Sequence, residues 1–230
     1  MKFKFVLFFL LNSMFCFTQS VQSKHVPGIL KDVEGNTYKT IKIGHQVWMA
    51  ENLRVKKFRN GDPILSTEAT KDVSKEMNPI LQWSYNGDDS KVAMFGRLYT
   101  WNVVSDHRGV CPRGWHVPSD AQWSILINFL GGNEVAGGRL KNDTEDVWFS
   151  PNIDATNDVN FNALPAGCRE YNGAFSYMNA MAGWWTATED ISKHAWSKVI
   201  RSDRSTIETV GNMKNYGRSI RCIQGILHTK

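Results

Sequence analysis

No stretch of this chain is specified so fully at both ends as residues 119–132, SDAQWSILINFLGG. Ser119, with Gln122 three residues later, makes a capping box, in which each residue's side chain bonds the other's free backbone N–H. Asp120 lies in the first turn, where the helix dipole favours an anion. Pro118 holds the preceding residue extended. Trp123, Leu126, Ile127 and Leu130 recur at helical spacing and make one apolar face. Gly131-Gly132 stops the helix, because glycine adopts the left-handed cap conformation at little cost. An amphipathic helix is therefore expected over residues 120–130. Such a face must be buried against another element.

The flanking sequence supplies strands rather than a repeating strand–helix alternation. Tyr38, Ile41, Ile43, Val47 and Trp48 fall on either side of Gly44-His45, which reads as a hairpin over 37–43 and 46–49. Residues 66–92 are polar, contain Pro79 and NGDD, and read as an irregular excursion with Trp83 and Tyr85 tucked in. In FGRLYTWNVVSD, Leu98, Trp101 and Asn102 follow i, i+3, i+4 spacing and predict a second helix, against the weak propensity of Val103-Val104. After Asn142 the chain is loop-rich, and GWWTATED, AWSKVIRS and SIRCIQ then read as short strands. Without βαβ alternation the expected class is α+β with an antiparallel sheet. The 230 residues suit one domain over 32–225, with no internal linker or repeat.

Charge and the N-terminus narrow the function classes. Leaving out Lys2 and Lys4 lowers the formal charge from +5 to +3, too little and too scattered for nucleic acid. MKFKFVLFFLLNSMFCFTQS has the charged, apolar and cleavable order of a secretory signal peptide over 1–18, with cleavage after Ser20 as the rival site. The apolar run is too short to span a bilayer, and no later segment is apolar enough. Ser13 and Phe15 do not fit a lipobox, so export without lipid anchoring at Cys16 is favoured. Residues 19–31 are expected to be a disordered leader. The exported chain keeps Cys111, Cys168 and Cys222, an odd number that implies one bridge and one free thiol. None has metal-ligand spacing such as C-x-x-C.

Eight stretches together resemble a known family: DVEGNTYKTIKIGHQVWMAENLR, GRLYTWNVV, VCPRGWHVPSDAQW, GGRLK, FNALPAGCRE, WWTATED, AW at 195–196, and SIRCI. They are similar, in order, to the Fibrobacter succinogenes major paralogous domain, a family of exported bacterial proteins without an established general activity. The resemblance covers about residues 30–224. Cys168 stands where the family motif usually has an aromatic residue, which makes it the expected unpaired thiol. More distantly, GWHVPSDAQW, WWTATED and SIRC resemble stretches of the formylglycine-generating, sulfatase-modifying domains. That likeness implies a C-type-lectin-like fold: a twisted antiparallel sheet, two helices, neighbouring first and last strands, and a long functional loop region. It also implies a Cys111–Cys222 bridge.

Site residues follow less directly. His116 is expected to be a hydrogen-bonded structural residue, since no nucleophile stands near it in sequence. Asp146, Asp154, Asn157, Asp158 and Asn160 would suit calcium, but Asx-turns explain them without a metal, so no cofactor is expected. Adjacent strand residues point to opposite faces, so one of Trp184 and Trp185 should face the loop surface. An exposed Trp185 beside Glu189, Arg169 and Tyr171 would stack and hydrogen-bond a sugar; Arg139, Arg169 and Arg221 are alternatively internal ion-pair partners. The expectation is an exported, non-catalytic module that binds a carbohydrate or a surface protein through residues 142–195. The alternatives are an enzyme related to the sulfatase-modifying domains and a purely structural envelope protein.

Overall fold

The computed structural model describes residues 28–144 and 146–225. The expected signal peptide, Cys16 and residues 19–27 lie outside them. In chain order come β1 (Gly28–Lys31), β2 (Thr37–Ile43), β3 (Gln46–Met49), β4 (Gln82–Trp83), α1 (Val92–Phe95), β5 (Leu98–Tyr99), α2 (Trp101–Ser105) and β6 (Trp115–His116). These lead into α3 (Asp120–Phe129), α4 (Asn133–Leu140), β7 (Ala166–Arg169), β8 (Phe175–Met178), β9 (Met181–Ile191), β10 (His194–Arg201), β11 (Ile207–Met213) and β12 (Ile223–Gln224). The fold is α+β, and its strand pairs are antiparallel. One sheet has the order β1-β2-β3-β12-β6, a second β11-β10-β9, and two ribbons are β4-β5 and β7-β8.

The helix signals act as read. Ser119 Oγ accepts from Gln122 N at 3.2 Å, and Gln122 Oε1 accepts from Ser119 N at 2.9 Å. Trp123, Leu126, Ile127 and Leu130 are buried in one cluster with Trp48, Phe161 and Trp184. The Trp48 and Trp123 rings lie 4.8 Å apart, and Trp123 and Trp184 5.6 Å. The hairpin of β2 and β3 turns at Gly44, whose φ is +58. A Cβ there would come within 3.0 Å of the Phe129 ring, so glycine lets the turn seat against α3.

Two expectations need correction. Residues 28–31 are not leader: they form an edge strand, with Ile29 opposite Lys39 in β2. The helix expected in FGRLYTWNVVSD is also cut short. Gly96 (φ +78) interrupts it, and a Cβ there would lie 2.6 Å from Asn52 Cβ. Leu98 and Tyr99 instead pair with Trp83 and Gln82, leaving only the five-residue α2. Of the i, i+3, i+4 pattern, Leu98 lies in this strand, and Trp101 and Asn102 lie in α2. So the described α-helices are four, two of them very short, and the sheet is divided.

Residues 217–222 run extended through the middle of the molecule. Gly217 and Arg169 exchange backbone bonds at 2.8 and 3.0 Å, and Arg218 and Tyr99 at 3.0 and 2.8 Å. Ser219 donates to Gly183 and accepts from Trp185, both at 3.1 Å, while Ile220 and Cys222 accept from Leu53 and Met49 at 2.9 and 3.0 Å. One segment thus joins β7, β5, β9 and the end of the first hairpin. Cys222 is bonded to Cys111 with Cα atoms 6.0 Å apart, across a sequence separation of 111.

Closing so long a loop restricts the unfolded chain. In the chain-entropy model the bridge contributes about 4–5 kcal/mol. Denaturant unfolding of Cys111→Ala/Cys222→Ala should show a loss of that size. A loss under about 1 kcal/mol would mean that the non-covalent ladder alone sets the position of residues 217–222.

Candidate functional site

The four residues expected to form a ligand surface are not brought together as one. Trp184 and Trp185 do point to opposite faces of β9, but both are 0% exposed. Trp184 packs among Trp48, Trp123 and Phe161, and its Nε1 donates to Asn52 Oδ1 at 2.9 Å. Trp185 packs with Trp101 and Ala195, and its Nε1 donates to the Tyr99 carbonyl at 2.7 Å. The strand is covered on both sides, so alternation separates two cores rather than core from solvent. Glu189 is exposed and pairs with Lys214, whose Nζ lies 4.6 Å from the Trp101 ring. Tyr171 is half-buried, edge-on to Tyr216 with centroids 5.6 Å apart.

Arg169 is fully buried and pairs with no carboxylate among the described residues. Its Nε and Nη1 donate to the carbonyls of Ala69 (3.1 Å) and Glu170 (3.1 Å), and Nη2 donates to that of Lys71. Its guanidinium lies 4.0 Å from the Trp83 ring. Burial pushes its pKa down to about 10. Arg221 likewise serves Asn52 Oδ1 (2.9 Å) and the carbonyls of Phe161 and Asn162, and burial brings it to about 9. Arg139 alone of the three pairs with a carboxylate among the described residues, Nε lying 2.8 Å from Asp158 Oδ2, but that pair is exposed rather than internal.

The Asn- and Asp-rich loop after residue 142 has a conformational explanation. Asp146, Asn152, Asp154, Asn157, Asn160 and Asn162 all have positive φ, the region these side chains tolerate best after glycine. Asp154 is bonded by Ser205, Asp158 by Arg139, and Asn157 Oδ1 accepts from Asn162 N at 2.8 Å. Among the described residues no three His, Cys, Asp or Glu side chains converge. The loop is anchored by Lys141, which is buried and donates to the carbonyls of Ile153 (2.6 Å), Arg204 (3.1 Å) and Arg201 (3.3 Å).

Two other singled-out residues have structural surroundings. His116 is bonded at Nδ1 to the Gly225 carbonyl (2.9 Å) and at Nε2 to Gln122 Nε2 (2.9 Å), which ties the capping box to the C-terminal strand. Cys168 is a free, buried thiol whose pKa burial pushes up. Such a thiol is a poor nucleophile.

The concavity with the chemistry to hold a ligand lies instead around the excursion over residues 66–92, with walls drawn from positions 56 to 97. It is a cleft of about 400 Å³ whose lining includes Lys56, Ser66, Thr67, Gln82, Trp83 and Arg97. Trp83 Nε1 donates to Thr67 Oγ1 at 3.0 Å, which closes one wall. Arg169 stacks behind Trp83, and Gly173 (φ +92) lets the turn after β7 press on Thr70, where a Cβ would fall 2.2 Å from the Thr70 carbonyl. Arg97 is buried beneath the cleft, donating from Nη1 to Gln82 Oε1 at 2.9 Å and from Nη2 to Asp89 Oδ1 at 3.0 Å. Its Nε is buried without a hydrogen-bond partner. Sequence reading placed Trp83 in this excursion but missed Arg97 and Gln82. Gln82 lies in a polar, pattern-free stretch and Arg97 outside it, and nothing in either marks that they converge.

Lys141 offers a test of the loop anchor. Burial holds its pKa at about 8, against an ordinary value of 10.5. Between those values the unfolded chain keeps a proton that the folded protein has released, so this group makes stability rise with pH across that window. The rise is about 3 kcal/mol in full. Unfolding free energies of wild type and Lys141→Met, measured from pH 7 to 10.5, should therefore diverge, with wild type gaining more. Parallel curves would contradict the buried cation.

No curated protein and no solved structure gives a significant match to this chain. The family model described as the Fibrobacter succinogenes major domain matches residues 41–224. The chain belongs to that family.

Proposed function

We propose that this protein is an exported, non-catalytic binding module whose ligand is an extracellular carbohydrate held in the cleft beside Trp83. The observation that carries the reading is the cleft itself. About 400 Å³ of open space lies over two buried side chains, Gln82 and Arg97, one of which has an unused donor. Concave sites with a few fixed polar groups suit small ligands, and hydroxyl-rich sugars use such groups best. A stable protein partner needs upward of about 1,000 Å² of contact, which favours a saccharide for a cleft of this size.

Export is supported by the N-terminal sequence and by the Cys111–Cys222 bridge, which suits an oxidising compartment. No helix among the described residues is long and apolar enough to cross a membrane. A C-type-lectin-like arrangement is supported by β12 pairing with β3, beside the early hairpin, with the loops emerging between. The buried, pKa-raised Cys168 gives a thiol-dependent enzyme no activated nucleophile among its surroundings.

Ser66 lines the cleft and is exposed, so a bulky side chain there fills the site without entering the core. After oligosaccharide ligands are found by glycan array, calorimetry on Ser66→Trp should show at least tenfold weaker binding at an unchanged melting temperature. Unchanged affinity, or an array without ligands, would contradict the proposal.

A further inference from the structure

We infer that the saccharide taken by the cleft carries a carboxylate, which binds the Nε–Nη2 edge of Arg97 in place of Asp89. The inference rests on the proposed cleft and names the class of its ligand. A guanidinium presents Nε–H and one Nη2–H side by side, spaced for the two oxygens of a carboxylate. In this structure that edge is half used. Asp89 Oδ1 accepts from Nη2 at 3.0 Å, while Nε is buried with no partner. A carboxylate docked squarely on the edge would satisfy both donors. The other terminal nitrogen, Nη1, is already fixed by Gln82 at 2.9 Å, which sets the plane of the fork.

Asp89 is suited to leave. Its side chain is 70% exposed, against 7% for Arg97. It begins a three-residue 3-10 turn, Asp89–Lys91, that follows the left-handed pair Asn86 and Gly87. An ion pair with so exposed a partner is weak, so a better-placed carboxylate can displace it. Once Asp89 has moved away, Lys56 and Arg97 are the charged groups left along the lining, and both are cationic. A neutral sugar hydroxyl would have to compete with Asp89 for Nη2 and could fill only one donor of the edge. The hydroxyl and amide groups of Ser66, Thr67 and Gln82 around the same cleft favour a sugar acid over a simple carboxylate.

The test uses trigalacturonate, its methyl ester and acetate as probes, with calorimetry on the exported chain. Trigalacturonate should bind at least tenfold more tightly than the ester, and acetate should be far weaker than the trisaccharide. Asp89→Asn removes the competing anion at an exposed position and should tighten trigalacturonate about fivefold. Arg97→Lys keeps the charge but loses the fork, and should weaken it tenfold or more. Because Arg97 is buried and its variant can misfold, the Asp89 variant decides. Equal binding of acid and ester, or an Asp89→Asn variant that binds the acid no better, overturns the carboxylate inference. The cleft reading then survives if Ser66→Trp still blocks the ester. Acetate binding as well as the trisaccharide also overturns it, by making the ligand a free carboxylate. Acid binding that Ser66→Trp leaves intact, or no binding of any probe, removes both.

Discussion

The extended segment from Gly217 to Cys222 is the constraint on which the rest of the molecule depends. It reaches β7 through Arg169, β5 through Tyr99, β9 through Gly183 and Trp185, the end of β3 through Met49, and the chain after β3 through Leu53. Regular sheets stop short of one another here, and each isolated strand would leave backbone groups unpaired. A buried, unpaired N–H or C=O costs about as much as a lost hydrogen bond, so the gaps must be filled. One strand-like thread fills them. The bond from Cys222 to Cys111 then fixes its end beside the chain that leads to α3.

Buried cations do the same work where no strand is available. Arg221, Arg169 and Lys141 donate to loop carbonyls, and among the described residues no carboxylate pairs with any of them. Burying a charge without a counter-ion is costly, which is why burial depresses all three pKa values. The return is geometric. A guanidinium offers five donors in one plane and can hold carbonyls that point inward from two strands of irregular chain. Arg221 also lies over the Phe161 ring at 4.2 Å, so its charge meets a π face as well as oxygen. Arg169 does this at the back of the cleft, where it supports Trp83 and the 69–71 loop together. A residue expected to touch ligand thus acts from behind the wall.

The sequence carried the fold's periodic parts and little of its site. The capping box at Ser119, the stop at Gly131-Gly132 and the hairpin about Gly44 are local, so a short window contains all the physics needed to read them. Leu98 misled because a buried residue of a two-residue strand falls at helical spacing from Trp101 and Asn102 of the short helix that follows it. Trp185 misled because alternation says which way a side chain points, and not whether that side is covered. Arg97, Lys141, Arg169 and Arg221 all fall within the stretches that carry the family resemblance. Lys141 and Arg169 donate to backbone carbonyls, which have no letter in a sequence, while Arg97 and Arg221 reach side chains as distant as Gln82 and Asn52, so their roles could not be read from it. The cleft has the same origin: its walls come from positions between 56 and 97 joined only by tertiary contacts.

Native-state hydrogen exchange is the most direct test of the central thread. The amides of Leu53, Tyr99, Arg169, Trp185 and Gly217–Ser219 are bonded along it. They should exchange only through global unfolding, as slowly as the ladder between β9 and β10. If these amides exchange at the rate of the exposed 66–72 loop while that ladder stays protected, residues 217–222 do not hold the molecule together.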